Sequence, residues 1–163
     1  MRSSENQYVR DMEPLTTEEI AARHRYMAVE ANNVAWQLSI GERSPAEDAE
    51  MLNAAHASAW HWSFVGEELN HMRATMLLAE VHALLGMGTT ALQYAMSMHA
   101  FFTGRDTEAW ELAFAHVVLA HAAHVAGNLD VHAMSYANAL VVMSTLNDDD
   151  RQVVEMTLKM VPK

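Results

Sequence analysis

Residues 41–47, Gly-Glu-Arg-Ser-Pro-Ala-Glu, require a helix to stop and another to start within a few residues. Ser44 sits at the cap and Pro45 at the first helical position, where its missing N–H is no loss. Glu47 is three residues on, where its carboxylate reaches back to the cap. Thr16-Thr17-Glu18-Glu19 carries the same signature, and Asn147 ahead of Asp148-Asp149-Asp150 offers a last N-cap. Between them Gly66, Gly86 and Gly88, Gly104 and Gly127 punctuate the chain at intervals close to one helix length. The spacing predicts helices over 16–41, 45–65, 68–86, 89–103, 106–126, 130–146 and 149–161. Links this short make sequential neighbours antiparallel, so the expected fold is all-α, a short stack of antiparallel helical hairpins.

Composition agrees and narrows the function classes. The chain has 163 residues, enough for one domain that buries about 70% of its unfolded surface. Half of it is apolar (51%) and 19% is charged, which suits packed helices and not a disordered chain. Ten basic residues against 21 acidic ones leave a net charge of −11, which argues against a nucleic-acid partner. The absence of Cys removes disulfides, thiolate metal sites and cysteine nucleophiles. Met1 to Glu13 carries no secretory h-region, and no run approaches the length of a membrane span. The expectation is a cytoplasmic protein without membrane contact, with residues 1–15 a flexible arm and 16–163 a single helical-repeat domain.

The first helix is apolar on two faces. Ile20, His24, Met27, Ala28, Ala31, Val34, Ala35 and Leu38 form one stripe at helical spacing, and Ala22, Tyr26, Val29, Trp36 and Ile40 form a nearly opposite one. The first helix of a chain has few neighbours, so the second stripe is expected to meet another copy. Trp60, Trp62 and Phe64 crowd the end of the second helix, where an outward aromatic cluster also reads as an interface. A homodimer with Tyr26, Val29, Trp36 and Trp60 at the interface follows.

Leu77 to Met98 reads helix, Leu-Gly turn, helix, and Leu119 to Leu140 repeats that plan with one extra residue placed at the turn. The small residues are Ala79, Gly86, Ala91 and Ala95 in one segment, and Ala120, Gly127, Ala133 and Ala137 in the other. This pattern resembles the tetratricopeptide repeat, although the turn glycines lie 41 residues apart where that family spaces them by 34. The resemblance implies a concave surface that binds a peptide, a helix or a partner protein.

Ten histidines and thirteen methionines are the chemical excesses. Antiparallel threading puts His82, His121, His124 and His132 at one end of the stack, and His121 and His124 share a helical face with Trp110, Phe114 and Val117. Converging imidazoles in a Cys-free apolar pocket suit Zn, Cu or non-haem Fe. Against a di-iron centre stands the absence of the paired ExxH motifs such a centre needs, since Glu68 to His71 is the one instance. The alternative is that each imidazole fills a core slot and bonds to a backbone carbonyl. At the opposite end His61, His71 and His99 accompany Met72, Met96 and Met98, a pairing of ligands that Cu(I) uses. Met96 and His99 also fall on a stripe with Leu92, Ala95 and Phe102, which reads as core, and most methionines are assigned there.

The third helix is apolar nearly all round and therefore central. Arg73 and Glu80 interrupt it on one face, about 10 Å apart along the axis and too far to pair. One reading is a polar pocket for a small anionic or zwitterionic ligand, completed by His61, Tyr94 and Glu111. The other sends Arg73 to Glu68 or Glu111. No phosphate loop or nucleophile elbow is present, since Gly86-Met87-Gly88 lacks the Lys, the preceding strand and the third Gly. The function expected is a non-catalytic binding or scaffolding module for a protein or peptide partner. The alternative is a small metal- or ligand-binding protein, or an enzyme, built on the histidines and the Arg73/Glu80 face.

Overall fold

The computed structural model describes residues 14–163, so most of the expected arm 1–15 lies outside the described residues. Seven helices are present and no strand among those residues: α1 (Thr17–Ser39), α2 (Pro45–Val65), α3 (Glu68–Leu84), α4 (Gly88–Thr103), α5 (Ala109–Val125), α6 (Leu129–Met143) and α7 (Asp148–Leu158). Both expected capping boxes close. The Glu19 N–H donates to Thr16 Oγ1 at 3.2 Å and the Thr16 N–H to Glu19 Oε2 at 2.8 Å, and Ser44 and Glu47 repeat the exchange. The fifth helix begins three residues later than its pattern suggested, because the Thr107 hydroxyl turns back to the Phe102 carbonyl at 2.7 Å and holds 104–108 in a loop.

Each helix packs on its sequence neighbour from α1 through α6, and α1, α3, α5 and α7 also lie side by side. The result is two layers, odd-numbered helices in one and even-numbered helices in the other, formed by stacked antiparallel hairpins. Helices α3 and α5 are the enclosed ones. Every residue from Met76 to Ala83 and from Ala113 to Ala123 is buried. Alanines at 113, 115, 120, 122 and 123 let three neighbours approach α5 at once, while Met51, Met76, Met98, Phe102 and Phe114 fill the irregular gaps left between them. The methionines as a class are not core, however. Met27, Met87, Met96, Met134 and Met156 are exposed, and Met96 in particular points away from the stripe that holds Ala95 and Phe102.

The turns after α3 and α5 are the same device. Gly86 and Gly127 take φ of +73° and +78°, the left-handed conformation that glycine adopts without Cβ strain. In each, the glycine N–H and the next N–H bond back into the helix, Gly86 to Ala83 O and Met87 to His82 O, Gly127 to His124 O and Asn128 to Ala123 O. Because the turns match, no extra residue is needed between the segments. The positions equivalent to Ala91 and Ala95 are His132 and Tyr136, and Ala133 and Ala137 face outward. The small residues that α6 buries are Ser135 and Ala139.

Gly88 opens α4 hard against the end of α5, where an added methyl group would stand 2.5 Å from the Val125 carbonyl oxygen. Gly88→Ala is expected to cost about 1–3 kcal/mol. Gly41→Ala, which meets nothing within 4 Å, leaves stability nearly unchanged. Urea unfolding midpoints of the two variants check the contrast. No helix of the described chain is long and apolar enough to cross a membrane.

Candidate functional site

The odd-numbered layer carries a groove of about 560 Å³, within the range of small-molecule and side-chain pockets. Its walls are Asn32, Trp36 and Gln37 of α1 with Ile40 at that helix's C-cap, and Val153 and Met156 of α7, and its floor is Met76 of α3 and Phe114 of α5. The rings set its shape: Trp36 and Trp110 both meet the Phe114 ring edge-on, with centroids 5.7 and 6.2 Å away. One end is polar. Arg73 Nε donates to Glu111 Oε1 at 2.6 Å, and the guanidinium stands 5.9 Å from the Trp110 ring centre. The carboxylate is nearly enclosed, and the arginine side chain is 45% exposed. A second, polar cavity of about 370 Å³ adjoins it and shares Arg73 and Glu111, with Arg105, Asp106 and Glu108 around its mouth.

Of the five residues expected to form one ligand pocket, the fold brings together Arg73 and Glu111. Glu80 shares the Arg73 face of α3, as the spacing required, yet each takes its own partner on α5. Glu80 is fully buried with His121 Nδ1 2.9 Å from Oε1, and its Oε2 has no partner. His61 lies on α2 against α1, and Tyr94 on α4 beside His82 with ring centroids 5.4 Å apart. Among the expected interface residues, Tyr26 (64% exposed), Val29 and Trp60 (57% exposed) stand open. Trp36 does not, because its ring is folded into the groove against Phe114.

The four histidines threaded to one end are divided among three environments. His82 points toward α2 and α4, donates from Nδ1 to Leu78 O at 2.7 Å, and meets His56 with ring centroids 5.3 Å apart. His121 is held by Glu80. His124 and His132 lie against each other at 4.9 Å, with His132 Nδ1 donating to Ala120 O at 2.9 Å. Among the described residues no three His, Asp or Glu groups stand close enough together to hold a metal ion. His71 donates to Trp62 O, and His61 and His99 are separately paired, so the second group is not assembled either.

The histidines instead organise in twos. His24 and His61 join α1 to α2 with Nδ1 atoms 2.9 Å apart, inside a ring of Trp60 and Phe64. His56 and His82 join α2 to α3, His99 Nε2 and His116 Nδ1 join α4 to α5 at 3.0 Å, and His124 and His132 join α5 to α6. An N···N hydrogen bond needs one ring to donate and the other to accept, so the accepting ring is neutral. Burial, reinforced by the neighbouring His99, pushes His116 down to about 4. Burial also lowers His99, His61 and His56, the last two with help from His24 and His82. His24, His56 and His116 are the members sequence reasoning did not single out, and nothing in their spacing marks them, because each partner lies on another helix. Comparison with protein-family models, curated proteins and solved structures gave no match.

His121→Ala leaves Glu80 buried without a partner and is expected to cost about 3–5 kcal/mol. The double replacement Glu80→Met/His121→Leu, which fills the same space without charge, is expected to recover most of that loss. Chemical denaturation of the three proteins at pH 7.5 gives the comparison.

Proposed function

We propose that the protein is a non-catalytic binding module of tetratricopeptide-like design, which docks a basic amphipathic segment of a partner protein in the groove of its odd-numbered helices. The observation that carries this reading is the groove itself: Trp36, Trp110, Phe114, Val153 and Met156 line an apolar trough that ends at the Arg73–Glu111 pair. An apolar trough with a few polar groups at one end takes the apolar face of a helix or extended segment, with specificity set at the polar end. Charge decides the sign of the partner. The chain carries −11, Asp106, Glu108 and Glu111 outnumber Arg73 and Arg105 around the adjoining cavity, and α7 begins with three aspartates. A cationic segment is attracted and an anionic one repelled. The matching turns at Gly86 and Gly127 support the repeat design.

The metal- or ligand-binding alternative rested on His82, His121, His124 and His132 and on a pocket of Arg73, Glu80, His61 and Tyr94, which the fold distributes over separate helix contacts. The groove reading is tested with two fluorescent helical peptides of the same length, one Leu/Lys and one Leu/Glu. The Leu/Lys peptide is expected to bind, and Val153→Asp at the open groove wall to weaken it at least tenfold, about 1.4 kcal/mol. Equal binding of the two peptides, or binding unaffected by the aspartate, would overturn the assignment.

A homodimer is the accompanying proposal, favoured by Tyr26 and Val29 on the open face of α1 and by Trp60 and Phe64 on α2. Light scattering is expected to give twice the chain mass at micromolar concentration, and Tyr26→Glu/Trp60→Glu to give a monomer. A monomeric mass for the unmodified protein removes the proposal.

A further inference from the structure

Eight of the ten histidines form four pairs, and each pair bridges two helices that are consecutive in the chain: α1 to α2, α2 to α3, α4 to α5, and α5 to α6. Two of these pairs share a ring-to-ring hydrogen bond, at 2.9 and 3.0 Å, that requires at least one neutral imidazole. Nothing compensates a second proton. Among the described residues Glu80 is the one carboxylate within 4.0 Å of a histidine nitrogen, and it serves His121, which is outside the pairs.

We infer that the four cross-helix histidine pairs make this stack an acid-responsive device: neutral, they tie consecutive helices together, and on proton uptake they set like charges against each other and open the layers that frame the groove. The pair between α4 and α5 is the most consequential because α5 packs against four other helices, α3, α4, α6 and α7. His116 faces His99 from α4. From α3 the charged groups along α5 are Arg73, engaged by Glu111, and Glu80, engaged by His121. From α6 it is His132, engaged by His124 and the Ala120 carbonyl. The acidic groups of α7, Asp148 to Asp150 and Glu155, make no ion pair with an α5 histidine. Around α1 and α2, His24 and His61 meet Trp60 and Phe64 and no carboxylate. His82 meets Tyr94 as well as its partner His56.

The direction of the response follows from the protons bound in each state. A histidine whose folded value lies below that of the free side chain leaves its proton to the unfolded chain, so stability is full above pH 6.5 and falls as the pH drops toward the folded value. For His116, with its folded value at about 4, the unfolding constant at pH 5 rises roughly 30-fold over that at pH 7.5. His56, His61 and His99 add in the same direction.

The device is a property of the helix stack and is read without any docked peptide, so its failure and the failure of the groove reading are separate results. Urea unfolding of the full chain, followed by Trp fluorescence between pH 7.5 and 5.0, is expected to show an unfolding constant that grows at least 30-fold. His99→Gln/His116→Asn, which keeps polar side chains but cannot titrate, is expected to remove about 30-fold of that growth. A stability independent of pH over this range, or a double variant with the same pH dependence as the unmodified protein, would overturn the inference. Should the double variant not fold, imidazole NMR of the unmodified chain decides: His116 neutral at pH 5.5 supports the device, and His116 protonated at pH 6 overturns it.

Discussion

Everything in this molecule is arranged around the enclosure of α5. From Ala113 to Ala123 no residue of that helix reaches solvent to any useful extent, and it packs against α3, α4, α6 and α7. A helix in that position cannot carry large side chains on every face, because the interhelical spacing of about 8–10 Å has to be met in several directions at once. Alanine answers this on most faces. The few larger apolar residues, Phe114, Val117, Val118 and Leu119, then decide with His116 and His121 where neighbours stand off, and Phe114 forms the floor of the groove between α1 and α7.

Alanine-rich surfaces pack closely but specify register poorly, since one small residue resembles the next. Two polar contacts between α3 and α5 supply what the alanines lack. Arg73–Glu111 and Glu80–His121 sit about two turns apart on α3, so sliding or rotating one helix past the other breaks both and strands at least one buried carboxylate. Glu80 and His121 lie 41 residues apart, the same interval as Gly86 and Gly127. Equivalent positions of the two hairpins therefore face each other across the odd-numbered layer. The groove depends on that register, because Met76 reaches its floor from α3 and Phe114 from α5 only when the two helices are level.

Local signals in the sequence located the elements. Thr16 and Ser44 with their glutamates, and Gly86 and Gly127 at their turns, act within a few residues, and the helices they bound are present with ends shifted by at most three residues. The central place of α3 was legible as well, since Arg73 and Glu80 are its sole charged interruptions between Asn70 and Leu84 and they share a face. What could not be read was which side chain on another helix each polar group would meet. Tyr94 and His61 were natural companions for Arg73 by rough threading, but a rotation of α4 or α2 by one residue moves a side chain through about 100°, and the threading does not resolve that. Trp36 shows the same gap. Its place on a second apolar stripe was correct as geometry, yet the stripe divides, Tyr26 and Val29 remaining open while Trp36 turns onto Phe114.

The histidines couple this packing to the acidic composition. Protonating all ten would take the chain from −11 to −1, and taken alone that arithmetic has the mutual repulsion vanishing near pH 5. The folded protein resists this shift, because burial holds His56, His61, His99 and His116 below their ordinary range. At pH 5 the folded chain therefore keeps more of its negative charge than the unfolded chain does. The two states are unequal in a second respect, since the unfolded one exposes the alanine, valine and methionine surfaces of α3 and α5. Acid thus favours the form that has both the least net charge and the most apolar surface. Opening of the stack and loss of solubility are then one event with a common cause, the protons accepted by histidines released from their partners.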